Sequence, residues 1–351
     1  MSSDVKIPLN FYQVVKWAAI FIIIGGIKLS TPIVLPLFIA LFLSITLSFP
    51  INFLVTKKVP RNLATMIILV AFGGSVYLIG DIIGKSSSEF ISNLPQYREI
   101  LAGKLDGTQL GDFIEDSMAE TQDKSKIMGF IVNTLGAVQR VIGKVVFIAL
   151  LTIFMTFELD VFPIKFKAIF GRKGKKGAEA NIRLISANIT RYLGIKTITS
   201  FFTALFIFIA LKIIGVEYAI LWAMIAFLFN YIPNIGSMLA AIPALLFTWV
   251  QLGNTGFVWA GLTYLVVNMI IGSILEPKIL GRGMGLSTFV VFLSLVFWGW
   301  IMGPVGMFLS VPLTMVLKII LNSNESSKYF AVLLGTREDA INVIRKDRYG
   351  K

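Results

Sequence analysis

The stretch "FNYIPNIGSMLAAIP", Phe229 to Pro243, lies inside a long apolar run yet holds two prolines, a glycine and two asparagines. A continuous buried helix resists such residues near its middle, because proline removes an amide donor and glycine loosens the backbone. The apolar run around it, Tyr218 to Gly253, is about 36 residues long. A bilayer is crossed by about 20 residues, so this run exceeds one span even with tilt. A second run of similar length, Leu286 to Leu321, is broken in the same way at "MGPVG", Met302 to Gly306. Backbone groups freed in hydrocarbon persist only where they are buried in protein or line a wet cavity. Paired interruptions of this kind point to the central site of a transporter. For "MGPVG" alone, a plain turn between two short spans explains the residues equally well.

Working outward, the whole chain reads as an all-α polytopic membrane protein. Of its 351 residues, 56% are hydrophobic and 15% charged, against about 25% charged in ordinary globular domains. No ten-residue alternation of a membrane barrel is present. Histidine and cysteine are both absent, which removes imidazole bases, thiolate nucleophiles, disulfides and the usual zinc sites. No phosphate-binding loop of the Walker type occurs; "GRKGKKG", Gly171 to Gly177, has the wrong spacing. We therefore expect no catalytic residues, no metal site and no bound cofactor, and transport that is not driven by this chain's own ATP hydrolysis. The net charge of +13 is read as cytoplasmic loops and contact with anionic lipid rather than as a nucleic-acid surface.

About seven to nine apolar segments follow one another. Residues 1–84 carry three spans, near Tyr12 to Leu29, Thr31 to Leu54 and Leu63 to Gly84; the first reads as a retained span, not a cleaved signal. Residues 85–140 form an acidic amphipathic insert bearing Glu89, Glu99, Asp106, Asp112, Glu115, Asp116, Glu120 and Asp123. Residues 141–160 hold a fourth span. Residues 161–196 are basic, with Lys165, Lys167, Arg172, Lys173, Lys175, Lys176, Arg183, Arg191 and Lys196. The core, 197–321, comprises a span from Thr197 to Ile214, the two broken runs and an ordinary span from Phe257 to Leu275; a basic tail, 322–351, closes the chain. The contrast between acidic insert and basic segment predicts cytoplasmic N- and C-termini.

Amides at membrane depth are costly unless they bond to another helix, a solute or water. Asn230, Tyr231, Asn234 and Asn268 are therefore the candidate solute-binding residues, offering both donors and acceptors. Pro233, Gly236, Gly303, Pro304 and Gly306 mark the broken helices, with the three glycines as expected hinges. Among charges, Glu276 is the candidate for ion coupling, set against an interfacial pair with Lys278. Arg191 and Lys196 read as headgroup anchors flanking a span, and Glu158, Asp160 and Asp81 as span-terminating charges.

The order "ITRYLGIKTITS" (Ile189 to Ser200), "GVEYAILWAMIAFLFNYIPNIGSMLAAIPALL", "VNMIIGSILEPKILGRGMGLS" and "GPVGMFLSVPLTMVLKII" resembles the AI-2E family of bacterial membrane transporters. The resemblance extends over nearly the whole chain, strongest from Arg191 to Leu321. It implies an inner-membrane secondary transporter or facilitator, with autoinducer-2 export and quorum sensing, or exchange of sodium or lithium for protons, as the activities associated with members. Sodium or a proton is then the candidate coupling ion. It also implies a homo-oligomer, with five copies as the candidate number, in a lipid bilayer. "FELD", Phe157 to Asp160, departs from the Lys-Asp pair that relatives often carry after a leucine run. A membrane scaffold that carries no solute is the alternative of another class.

Overall fold

The computed structural model describes residues 9–105, 129, 133, 136, 144–159, 161, 165, 175–233, 235–280, 285–323 and 327–349. Among these the chain is helical, with no strand. Helices α1 (Leu9–Leu29) and α2 (Thr31–Thr56) form a hairpin that turns at Ser30. Then come α3 (Arg61–Ser92), α4 (Leu94–Leu105) and α5 (residues 144–159). Helix α6 (Lys175–Ile214) runs 40 residues without interruption. The expected boundary at Lys196 between a basic segment and the core therefore falls inside one helix.

The first broken run becomes α7 (Ala219–Phe229), irregular backbone at residues 230–233 and 235, and α8 (Gly236–Val267). At 11 residues, α7 rises about 16 Å, half the thickness of a bilayer's hydrocarbon. It enters and turns back rather than crossing. Helix α8 is itself kinked at Gly253 (φ 72°, ψ −161°), so its first part is the return leg and its second part a separate span. That span runs on into a π-helix, Asn268–Leu275, and the short α9 (Glu276–Leu280). The second broken run forms α10 (Thr288–Met302) and α11 (Pro304–Asn322), hinged at Gly303. Helices α12 (Lys328–Leu334) and α13 (Arg337–Tyr349) follow.

Among the described residues, five helical stretches are long and apolar enough to cross a membrane: Thr31–Thr56, Arg61–Ser92, Arg183–Ile214, Gly236–Ile279 and Pro304–Asn322. Trp17–Leu29, Ala219–Phe229 and Thr288–Met302 are shorter apolar helices. Large side chains such as Phe21, Val70 and Ile213 stand exposed on them, as a hydrocarbon solvent allows.

Two apolar clusters organise the bundle. One gathers Ile83 and Phe90 of α3, Tyr97 of α4, Ile207 of α6, Trp222 of α7 and Phe247 of α8. Its rings meet edge to face, Tyr97 to Phe247 at 5.0 Å and Phe90 to Trp222 at 6.1 Å, the arrangement the aromatic quadrupole favours. The other gathers Phe42 of α2, Tyr192 and Leu193 of α6, Val290 of α10 and Leu309 of α11. Along α6 the second cluster ends at Leu193 and the first begins at Ala204. Between them lies the polar sequence Lys196 to Ser200.

The C-terminal helices are fastened by one lysine. The Lys318 amine of α11 donates to the Gly285 carbonyl and to Asp339 of α13 (2.7 Å), and the Thr336 amide donates to the same carboxylate at 2.9 Å. Burial works against ionisation of Asp339, but these donors outweigh it and hold its carboxyl below the usual value of 3.8. An acid depressed by folding stabilises the fold above its ordinary pKa, and that contribution vanishes as pH falls through the folded value. Docking of α13 is thus expected to stay constant from about pH 5 to 8 and to loosen below about pH 4, read as faster amide exchange in residues 337–349.

Candidate functional site

Helical spacing puts Tyr192, Lys196, Thr199 and Ser200 on one face of α6. Lys196 is 3% exposed and lies within the long helical stretch Arg183–Ile214. Its amine forms an ion pair with Glu276 Oε1 at 2.6 Å and donates to the main-chain carbonyl of Asn230 at 2.9 Å. Asn230 Nδ2 in turn donates to Ser200 Oγ at 3.0 Å. Thr199 Oγ1 donates to the Lys196 carbonyl at 3.2 Å and, at a long 3.5 Å, to Glu276 Oε2. Tyr231 donates from its hydroxyl to Thr197 Oγ1 at 2.8 Å. The Tyr192 hydroxyl is buried, has no hydrogen-bond partner among the described residues, and lies within Coulomb range of Glu276 and Tyr231.

This arrangement explains why the apolar run is broken where it is. An ammonium in hydrocarbon needs a counter-charge and further acceptors. Glu276 supplies the first. Asn230 supplies a carbonyl that a continuing helix would have spent on its own ladder, because the chain leaves the helix after Phe229. Tyr231 closes the tip: its ring packs on Phe308 of α11 at 4.8 Å between centroids. The tip of the first hairpin thereby touches the second.

Glu276 owes its position to the π-helix that ends one residue before it. A π-turn widens the coil and shifts the phase of every later side chain. The side chain of Glu276 ends 13% exposed and turned to Lys196, so the alternative of an interfacial pair with Lys278 is not what the structure shows. Nor is Lys196 a headgroup anchor; it is a buried partner. The sequence signal for it is the polar stripe Tyr192, Lys196, Thr199, Ser200 and Thr203 at helical spacing, part of which lies before the span expected from Thr197.

The remaining candidates separate. Asn230, Tyr231 and Glu276 join one network. Asn268 is half-buried at the start of the π-helix, eight residues before Glu276. Asn234 lies outside the described residues, as does Asp160. Glu158 makes an exposed pair with Lys165 at 2.6 Å, and Asp81 one with Lys85 at 2.8 Å; such pairs add little stability. Pro233 is buried in the break and Pro304 opens α11.

The glycines correct the hinge expectation. A Cβ on Gly236 would stand 1.8 Å from the Phe229 carbonyl oxygen, and one on Gly306 would stand 2.0 Å from that of Trp298. Both permit close approach of the two legs of a hairpin. Gly303 differs: nothing stands within 4 Å of a Cβ, and its φ of +70° is a backbone conformation that favours glycine.

Replacing Tyr231 with phenylalanine removes its bond to Thr197 while keeping the ring on Phe308. About 1 kcal/mol of stability should be lost. Tyr231→Ala should lose a further 0.5–1.5 kcal/mol or so from the aromatic pair, both read from thermal unfolding in detergent.

A broken hairpin whose tip meets a buried ion pair between two membrane-length helices is the arrangement of a multi-pass membrane protein. Residues 17–325 match the model of the AI-2E family transporter. A Haemophilus influenzae protein whose name proposes transport and nothing narrower is 39% identical over 335 residues, covering 92% of this chain and 95% of that one. The AI-2 transport protein TqsA of Escherichia coli is 36% identical over 337 residues, 93% of this chain and 97% of its own. The chain belongs to the AI-2E family of transporters.

Proposed function

We propose that this protein is a secondary transporter or facilitator of the bacterial inner membrane that moves a small polar solute through the site around Lys196, Asn230 and Glu276. The single observation that carries this reading is the buried Lys196–Glu276 pair held on the carbonyl of a broken helix. A solute with hydroxyl and carbonyl groups can replace each of its contacts in turn, donating to Glu276 and accepting from Lys196. Similarity to TqsA makes autoinducer-2, and with it a part in quorum sensing, the first solute to try. The resemblance also supports a homo-oligomer, with a pentamer as the form to look for, and both termini in the cytoplasm follow from the charge contrast between the loops. No chemistry on the solute is required of the chain, and a scaffold would have no use for an ion pair at membrane depth.

A second reading is favoured by the same pair. In exchange of sodium or lithium for protons, the cation would take Glu276 and release Lys196. Purified protein in liposomes decides between the two. Autoinducer-2 flux that Glu276→Gln abolishes, without any sodium-driven pH change, supports the first. A sodium- or lithium-dependent pH change that Glu276→Gln abolishes supports the second. Neither flux in folded protein would overturn both.

A further inference from the structure

Away from the ion pair, α6 and the span formed by the second part of α8, the π-helix and α9 splay apart. Between them lies a groove of about 770 Å³. Phe202, Phe206 and Ala210 line one wall; Trp259, Leu262 and Val266 line the other. Both walls belong to membrane-crossing stretches, so the groove opens at the depth of hydrocarbon. Nothing in a lipid solvent forces two apolar helices to close such a gap, because lipid tails are as apolar as leucine.

We infer that this groove is a binding site for an acyl chain of a membrane phospholipid. Its lining is apolar but for three side-chain groups. The hydroxyls of Thr199 and Thr263 donate to the Lys196 carbonyl at 3.2 Å and the Trp259 carbonyl at 2.9 Å. The Trp259 indole N–H, on a side chain 59% exposed, is then the polar lining group left for an occupant to meet. Its shape is long. From Ile198 to Ile213 the wall of α6 rises about 22 Å at 1.5 Å per residue. One leaflet supplies about 15 Å of hydrocarbon, so an extended acyl chain lies along most of that length. At the end near α9, Lys278 is exposed beside the lining residue Ile279 and can meet a headgroup phosphate.

The groove also bears on the centre of the protein. Thr199 and Leu275 line this same end, three residues from Lys196 and one from Glu276. A chain seated there backs the two helices that carry the ion pair. This inference does not depend on which solute is moved.

The test is native mass spectrometry of the protein reconstituted in vesicles of phosphatidylethanolamine and phosphatidylglycerol and released into detergent. Wild-type protein should retain phospholipid, and so should Val70→Phe, which changes an exposed residue of α3 outside the groove. Ala210→Phe, which fills the groove, should lose it. If Ala210→Phe does not fold, Leu262→Trp replaces it. Equal retention by wild-type and filled variants, or no retention by the wild type, overturns the inference. So does a disulfide between copies of a Leu262→Cys variant, which would make the groove an interface between chains; native cysteines are absent, so any such bond is unambiguous.

Discussion

Glu276→Gln should leave the Lys196 ammonium buried with one carbonyl for company, and the protein should lose about 3–5 kcal/mol of stability. Lys196→Met should cost a similar amount, because it leaves Glu276 buried without its counter-charge. The double variant Lys196→Met/Glu276→Gln should unfold at a higher temperature than either single one, since two neutral side chains need no counter-charge. Transport should be absent in all three. The pattern matters more than any single value: a structural pair predicts that the double variant regains both stability and flux, a working pair that it regains stability alone. Thermal unfolding and liposome flux, measured on the same preparations as a double-mutant cycle, separate the two.

Gly236→Ala and Gly306→Ala should each prevent accumulation of folded protein. The obstacle to either new methyl is a main-chain carbonyl, 1.8 Å away at Gly236 and 2.0 Å away at Gly306, and no rotamer change relieves it. The legs of the hairpin must separate, at or above the roughly 1–3 kcal/mol usual for overpacking. Small residues are what let helices approach this closely in a membrane. Gly74→Ala is the control, with nothing within 4 Å of the added carbon, and should leave yield and unfolding temperature unchanged. The measurement is the monodisperse fraction after extraction. If Gly306→Ala behaves like Gly74→Ala, the second hairpin is not packed as described.

Much of this architecture was legible in the residues, for physical reasons that differ by element. The two broken runs announced themselves because proline and glycine in hydrocarbon have few explanations, and Asn230 and Tyr231 followed from the cost of polar groups at depth. Glu276 was visible as a carboxylate at the end of a span, but its burial was not. That depends on a π-helix from Asn268 to Leu275, for which "NMIIGSIL" carries no residue preference distinct from an ordinary membrane helix. Lys196 was hidden by a boundary: basic residues upstream of it blended with it into one cytoplasmic segment, whereas α6 continues through both. The role of Gly236 and Gly306 is not legible in the sequence, because composition cannot separate a glycine that bends from one that admits a neighbour. Only the neighbour's position does so.

The break at residues 230–235 must face a water-filled cavity shared with Lys196 and Glu276 if solute is to reach them, and a single cysteine tests this directly. The chain has none of its own, so Tyr231→Cys can be labelled alone with a membrane-impermeant thiol reagent in right-side-out and inverted vesicles. Labelling from at least one side, slowed by autoinducer-2 or by sodium, is the predicted result. A cysteine there that no reagent reaches from either side, in protein that still transports, would contradict the account.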